Sequence, residues 1–248
     1  MYDPPGYVWA ITLAGVIAVP AATSVLLYGG GVRSGLSRGR AALLASGAAA
    51  LFGAWFTASA VIADHGWYHT RLGHGVPWMP VAIFGFLGLL LALRKIPVVA
   101  RALTAPGMVS RLELPHTFRV TGVAFLITMA LGHLPALFAL PAGLGDIATG
   151  LAALLIARRL AQGTGRRAAR WLNAFGLTDL VVALTLGALT AYQLVSVSPP
   201  GSAISLLPLA LVPTAEVPLL MTLHFTSLAA LARAPRTARR AAATLTVA

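Results

Sequence analysis

Three of the chain's six acidic residues, Asp146, Asp179 and Glu216, lie inside long apolar stretches. A charged group at the centre of a membrane helix costs about 2.5–3.5 kcal/mol on insertion scales, so such residues turn toward the bundle interior and find a partner. Glu216 has the most telling surroundings, Pro208-x4-Pro213-x-x-Glu216-x-Pro218. Each proline lacks an N–H and disrupts the bond to the carbonyl four residues earlier. Leu209 and Thr214 are therefore expected to carry carbonyls without their helical donors. A membrane tolerates such backbone only where protein, water or a ligand satisfies it. The pattern predicts a broken last helix with a carboxylate in the break, suited to a cation or a proton. A simple proline kink is the plainer alternative.

Other groups could join these carboxyls. Asn173 and Thr178 offer neutral oxygens near Asp179, and Thr149 does so near Asp146. Arg119 stands about one turn inside its own apolar stretch. It either snorkels to the inner interface or pairs with Asp179, which shares the inner half. His224 lies in the inner half of the last stretch, where a hydrogen-bonded helix contact is the ordinary role. At about 1.5 Å per residue, Asp146 falls roughly 9 Å below the outer boundary, Asp179 roughly 12 Å above the inner one, and Glu216 near mid-depth. Asp146, Asp179, Glu216, Asn173, Arg119 and His224 form the candidate ligand- or ion-binding set.

A second cluster reads Asp64-His65-Gly66-Trp67-Tyr68-His69-Thr70-Arg71-Leu72-Gly73-His74. His65 and His69 have the i, i+4 spacing that aligns two imidazoles on a helix, as in some zinc sites. Asp64, His74 and His133 would complete a shell. Gly66 works against a helix here, and Trp67 and Tyr68 suffice to make the segment an interfacial anchor. No two stretches offer central histidines at matched depth for haem. There is no G-x-S-x-G, no H-E-x-x-H and no phosphate loop. With no cysteine, thiolate metal sites and cysteine catalysis are excluded. A retinal Schiff base is excluded because the last stretch has no Lys. The sequence specifies no cofactor.

These residues must be positioned by the apolar stretches themselves, which run over about 8–28, 41–63, 77–93, 117–132, 140–157, 171–194 and 205–232. A bilayer core requires about 20 apolar residues per helix, and only the fourth stretch is short. The chain is expected to be all-α: a single polytopic bundle of seven transmembrane helices over 1–248, ending in a basic tail at 233–248. Charged residues make up 10% of it, well below the roughly 25% of soluble domains. The formal net charge of +12 sits in gaps between stretches and forms no basic domain, so the partner is the lipid bilayer rather than nucleic acid.

Arg33, Arg38 and Arg40 follow the first stretch, Arg94, Lys95, Arg101 and Arg111 the third, and Arg158, Arg159, Arg166, Arg167 and Arg170 the fifth. Arg233, Arg236, Arg239 and Arg240 follow the seventh, while the remaining gaps hold only Arg71. The positive-inside rule then sets the N-terminus outside and the C-terminus in the cytoplasm. Tyr7, Trp9, Trp67, Tyr68, Trp78 and Tyr192 fall at the outer interface, Tyr28 and Trp171 at the inner. Residues 94–116, with Pro97, Pro106 and Pro115, suit a segment lying along the cytoplasmic interface. Met1 to Val32 has no basic residue, so the first stretch is expected to remain as a helix rather than be cleaved.

The near-total use of Arg over Lys, with abundant Ala and Gly, fits a GC-rich bacterial genome and a multi-pass inner-membrane location. Gly143-Leu144-Gly145-Asp146 and Gly176-Leu177-Thr178-Asp179 stand on oppositely directed stretches, as in an inverted repeat. Four-residue matches arise easily in so biased a composition, and chance is the better account of them. The stretch from Phe118-Arg119-x-x-Gly122 through Gly145-Asp146 resembles segments of uncharacterised bacterial membrane proteins, and the resemblance implies no activity. The leading expectation is transport of a small solute or cation through a polar site in stretches four to seven. The rival is an intramembrane enzyme on a lipid or isoprenoid substrate, with a carboxyl as general acid. It would be distinguished by an apolar cavity, open sideways to lipid, beside a carboxyl. A non-catalytic membrane subunit or sensor is a third reading. The sequence leaves the substrate and the oligomeric state open.

Overall fold

The apolar stretches fold into helices with no strand among the described residues, which in the computed structural model are 3–69 and 75–245. The long helices are α1 (Gly6–Arg33), α2 (Arg38–Asp64), α3 (Trp78–Leu93), α7 (Ala136–Ala161), α8 (Arg166–Ala191) and α9 (Val217–Leu245), with short helices α4 (Pro97–Leu103), α5 (Met108–Leu112) and α6 (Val123–Ala130). Five helices are long and apolar enough to cross a membrane, and six if α3 and α4, bent by 88°, count as one span. Ile17, Leu43, Phe84, Leu151, Phe175 and Val181 are exposed on these helices. A soluble monomer rarely leaves so much apolar surface uncovered, and in a bilayer these side chains face lipid.

Two stretches depart from regular α-helix, and both hold candidate residues. The fourth is no single α-helix: Leu114–Gly122 is a 3₁₀ helix that leads into α6. At three residues per turn, side chains three apart eclipse. His116, Arg119 and Gly122 therefore stack on one buried line, with the buried Glu113 just ahead of them. The last stretch is irregular where its prolines stand, though the turn holding Glu216 continues into α9 without a gap. After a short 3₁₀ turn (Gly201–Ser205), a π-helix (Val212–Glu216) leads into α9. Pro218 leaves the Thr214 carbonyl without a helical donor, and the Trp55 indole N–H supplies one at 3.0 Å.

The last span is the hub. Its most apolar window is 72% buried, against 11% for α2, so α2 faces lipid while the last span is enclosed. α3 and α8 pack against α9, α1, α2 and α3 touch the π-helix, and α7 packs on α8 and on the 3₁₀ helix. The segment 94–113 is not merely a surface strip. α4 and α5 turn Ala102, Leu103, Met108 and Leu112 into the core beside Leu26, Leu27 and Leu220, while Arg101 stays exposed.

Several boundaries move outward from the expected ones. α7 begins at Ala136, capped by Pro135, instead of at 140, and α8 begins at Arg166 instead of 171. The last helix runs past 232 to Leu245, so the basic tail begins as helix, and 246–248 lie outside the described residues.

Candidate functional site

Arg119 is the centre of the site. It is only 1% exposed, which overturns the snorkelling alternative. Its Nε donates to Asp146 Oδ1 at 2.7 Å, and its Nη2 donates to Asp179 Oδ2 at 2.5 Å. Its Nη1 faces the Gly176 carbonyl at 3.3 Å and His224 Nε2 at 3.2 Å. Guanidinium presents five N–H donors and no acceptor, so His224 Nε2 must accept and the imidazole carries its hydrogen on Nδ1. That Nδ1 donates to Asn173 Oδ1 at 2.9 Å. Five of the six candidates are thus joined. The common depth of Asp146 and Asp179 follows from the longer α7, which sinks Asp146 about 15 Å from the helix start.

The network continues inward to a residue the sequence reading missed. Asn173 Nδ2 donates to Glu113 Oε1 at 2.7 Å, and Ser227 Oγ donates to the same oxygen at 2.6 Å. Glu113 is fully buried, and its Oε2 has no hydrogen-bond partner. Burial pushes its carboxyl up to about 7, with the bonds from Ser227 and Asn173 pulling the other way. His116 stacks on His224, ring centroids 3.8 Å apart. The overlooked signal is the three-residue spacing Glu113, His116, Arg119, Gly122, which a 3.6-residue reading hides.

Glycine permits this close assembly at three points, one of them Gly122, where a Cβ would overlap the Asp146 side chain. A side chain at Gly145 would overlap the Asp179 carboxylate, and a Cβ at Gly176 would lie 2.6 Å from His224 Nε2 and 2.9 Å from Arg119 Nη1. The paired segments bring both aspartates to one centre, but Gly143, the counterpart of Gly176, packs against Leu126 instead. Thr178, by contrast, is exposed and points away from it, while Thr149 is buried outside the hydrogen-bonded set.

Glu216 joins through space rather than through a bond. It is 4% exposed, and among the described residues it accepts no hydrogen bond. With Thr12, Arg119, Thr121 and Asp146 it lines a cavity of about 20 Å³. A larger cavity of about 440 Å³ lies beside it. Its mouth holds Tyr68, His69, Tyr192, Gln193 and Ser202; its shaft is apolar, with Ile83, Phe138, Leu180 and Leu184, and Asp146 is in its wall. Asp146, Phe125, Leu180, Val212 and Val217 line both cavities and so divide them.

The histidine cluster does not assemble as the zinc reading expects. α2 stops at Asp64, and Gly66, at φ +72°, closes it: Gly66 N–H bonds the Ala63 carbonyl and Trp67 N–H the Ile62 carbonyl. This left-handed helix terminus removes the helical turn that would align His65 with His69. His65 Nδ1 contacts the Val61 carbonyl, and His69 Nδ1 contacts Ser205 Oγ. His69 and His133 line one shallow pocket, His74 and Arg71 lie outside the described residues, and no three potential ligands converge among the described residues.

Long apolar helices, an uncovered apolar exterior and a buried Arg–Asp–Asp centre define an integral membrane protein of the all-helical class. Residues 76–232 match the family described as Domain of unknown function (DUF8737), and the chain belongs to that family. The matched region contains every residue of the Arg119 network. No curated protein and no solved structure matches the chain.

Proposed function

We propose that this protein is an inner-membrane carrier of seven spans, N-terminus outside, that takes a small amphiphilic solute into the larger cavity and moves it past the Arg119 centre. The observation that carries this reading is the cavity itself. Its polar mouth gathers residues of loops poor in basic residues, and its apolar shaft reaches a carboxylate in mid-helix. A hydrated ion would find few ligands along that shaft; a solute with an apolar body and a polar or cationic end would be matched at both ends.

Seven crossings remain compatible with the helix lengths. Nine 3₁₀ residues at about 2.0 Å each and eight α-helical ones at about 1.5 Å give the fourth stretch roughly 30 Å, the thickness of a hydrocarbon core. With that crossing the basic gaps all fall on one side, as the positive-inside rule requires.

The rival enzyme reading is favoured by one feature. Partly exposed Pro80 of α3 and Ala183, Leu184 and Ala188 of α8 line the cavity, so a lipid or isoprenoid could approach from the side. The carrier reading is preferred because Arg119 already occupies Asp146 Oδ1, leaving that carboxyl poorly placed as a general acid.

Reconstituted vesicles loaded with a solvatochromic amphiphilic cation test this. Wild type should bind and translocate the dye, Ala188→Trp should weaken binding roughly tenfold, about 1.4 kcal/mol, and Asp146→Asn should abolish translocation. Binding without translocation in wild type would remove the carrier reading and leave the enzyme one.

A further inference from the structure

The small cavity beside the larger one has a composition of its own. It lies where the two irregular segments meet: Arg119, Thr121 and Gly122 come from the 3₁₀ helix, and Val212 and Glu216 from the π-helix. Departures from α-helix of both kinds recur at functional sites. α1 adds Thr12, 2% exposed, whose Oγ1 has no hydrogen-bond partner. Glu216 beside it also accepts no bond among the described residues. A buried hydroxyl and a buried carboxyl, neither with a hydrogen-bond partner among the described residues, therefore face a space of about 20 Å³, and a cavity above about 10–15 Å³ holds one water.

We propose that this cavity is a proton site: Glu216 carries an exchangeable proton, and one water held between Glu216 and the Thr12 hydroxyl delivers it. The step is a simple transfer in which a hydronium ion gives its proton to the Glu216 carboxylate and remains as water. The charged groups facing Glu216 are Asp146 of α7 and Arg119 of the 3₁₀ helix. The other packed elements bring neutral groups: Thr12 and Gly15 from α1, Trp55 and Ser59 from α2. An alkali cation fits less well. It would sit against the Arg119 guanidinium with too few oxygens to replace its hydration, whereas a proton neutralises the carboxylate and needs no coordination shell.

This inference rests on the carrier reading for its purpose. Asp146 borders both cavities, so a solute in the larger one and a proton in the smaller one act on the same side chain. Coupling then needs no long path.

Infrared difference spectroscopy on the purified full-length protein in lipid nanodiscs tests the site without any solute. The Glu113→Gln background removes the other buried carboxyl that lacks a guanidinium partner, since Asp146 and Asp179 are both held by Arg119. A protonated-carboxyl C=O band that shifts on deuteration should be present at neutral pH and lost in Glu216→Gln. Thr12→Val should shift the band, Thr12→Ser should restore it, and sodium chloride in place of choline chloride should leave it unchanged. A band that survives in Glu216→Gln, is indifferent to Thr12→Val, or disappears with sodium would overturn the proposal. If Glu216→Gln does not fold, the Thr12 pair decides. Dye transport with no such band refutes the proton site alone, and the band without transport refutes the carrier reading alone.

Discussion

The indole of Trp55 on α2 reaches across to the last span and donates to the carbonyl of Thr214 at 3.0 Å, the carbonyl that Pro218 leaves without a donor. Ser59, one turn further along α2, meets the Thr214 hydroxyl at 2.6 Å. The irregular turn that holds Glu216 is thus stabilised by a helix that otherwise faces lipid.

Trp55→Phe should keep the ring's stacking on Phe86, 4.6 Å between centroids, and lose only the hydrogen bond. Leaving a buried carbonyl unsatisfied costs about 1–3 kcal/mol. In a Pro218→Ala background the restored N–H can serve Thr214, so Trp55→Phe should cost less there. Thermal unfolding of the four proteins of this cycle measures the coupling; equal costs in both backgrounds would show that Trp55 acts by packing.

Arg119 bonds two carboxylates, a carbonyl and an imidazole at once. Removing one partner of a buried ion pair costs about 3–5 kcal/mol, because the other charge is left behind. Arg119→Gln should therefore destabilise strongly. Arg119→Lys should rescue little, since an ammonium cannot span the same fork. Adding Asp179→Asn to Arg119→Gln should recover part of the loss, read as unfolding temperature in detergent.

Gly145→Ala should disrupt the packing of α7 on α8, because the new methyl overlaps the Asp179 carboxylate. Gly53→Ala is the control. Gly53 lies inside α2, and nothing stands within 4 Å of where its methyl would sit, while alanine gains about 0.8–1.0 kcal/mol of helix propensity. Opposite shifts in stability are expected from the same chemical change.

Much of this was legible because bilayers impose length. The stretches and the isolated carboxyls stood out against an apolar background, and three prolines marked the irregular turn at Glu216. Depth was less legible: α7 starts at Ala136, in a segment where the apolar count had not begun, so Asp146 sits deeper than expected. The fourth stretch hid its pattern. Glu113 and His116 belong to a three-residue period continuing through Arg119 and Gly122, and a helix read at 3.6 residues per turn scatters them. The i, i+4 alignment of His65 and His69 was lost at Gly66, whose left-handed backbone ends α2 before His69. Which partners meet over separations of 60 or 105 residues, as Arg119 meets Asp179 and His224, depends on packing that one sequence does not display.

Glu113 gives the protein a pH-dependent stability whose sign is opposite to that of an ordinary paired carboxylate. Burial raises its carboxyl from 4.5 to about 7, so between those values the folded chain keeps a proton that the unfolded chain has released. Stability rises with pH only where the unfolded state binds more protons; here it binds fewer, so stability from this group falls from about pH 4.5 to about pH 7 and levels above. The size is on the order of 3 kcal/mol at about 1.36 kcal/mol per unit. Glu113→Gln keeps an acceptor for Asn173 and Ser227 and cannot ionise. Unfolding temperatures in detergent from pH 4.5 to 8.5 should show the variant losing less stability than wild type as pH rises, with the two curves parting chiefly below pH 7. Curves that stay parallel throughout would mean that Glu113 is ionised at low pH, and that water or a cation compensates its buried charge.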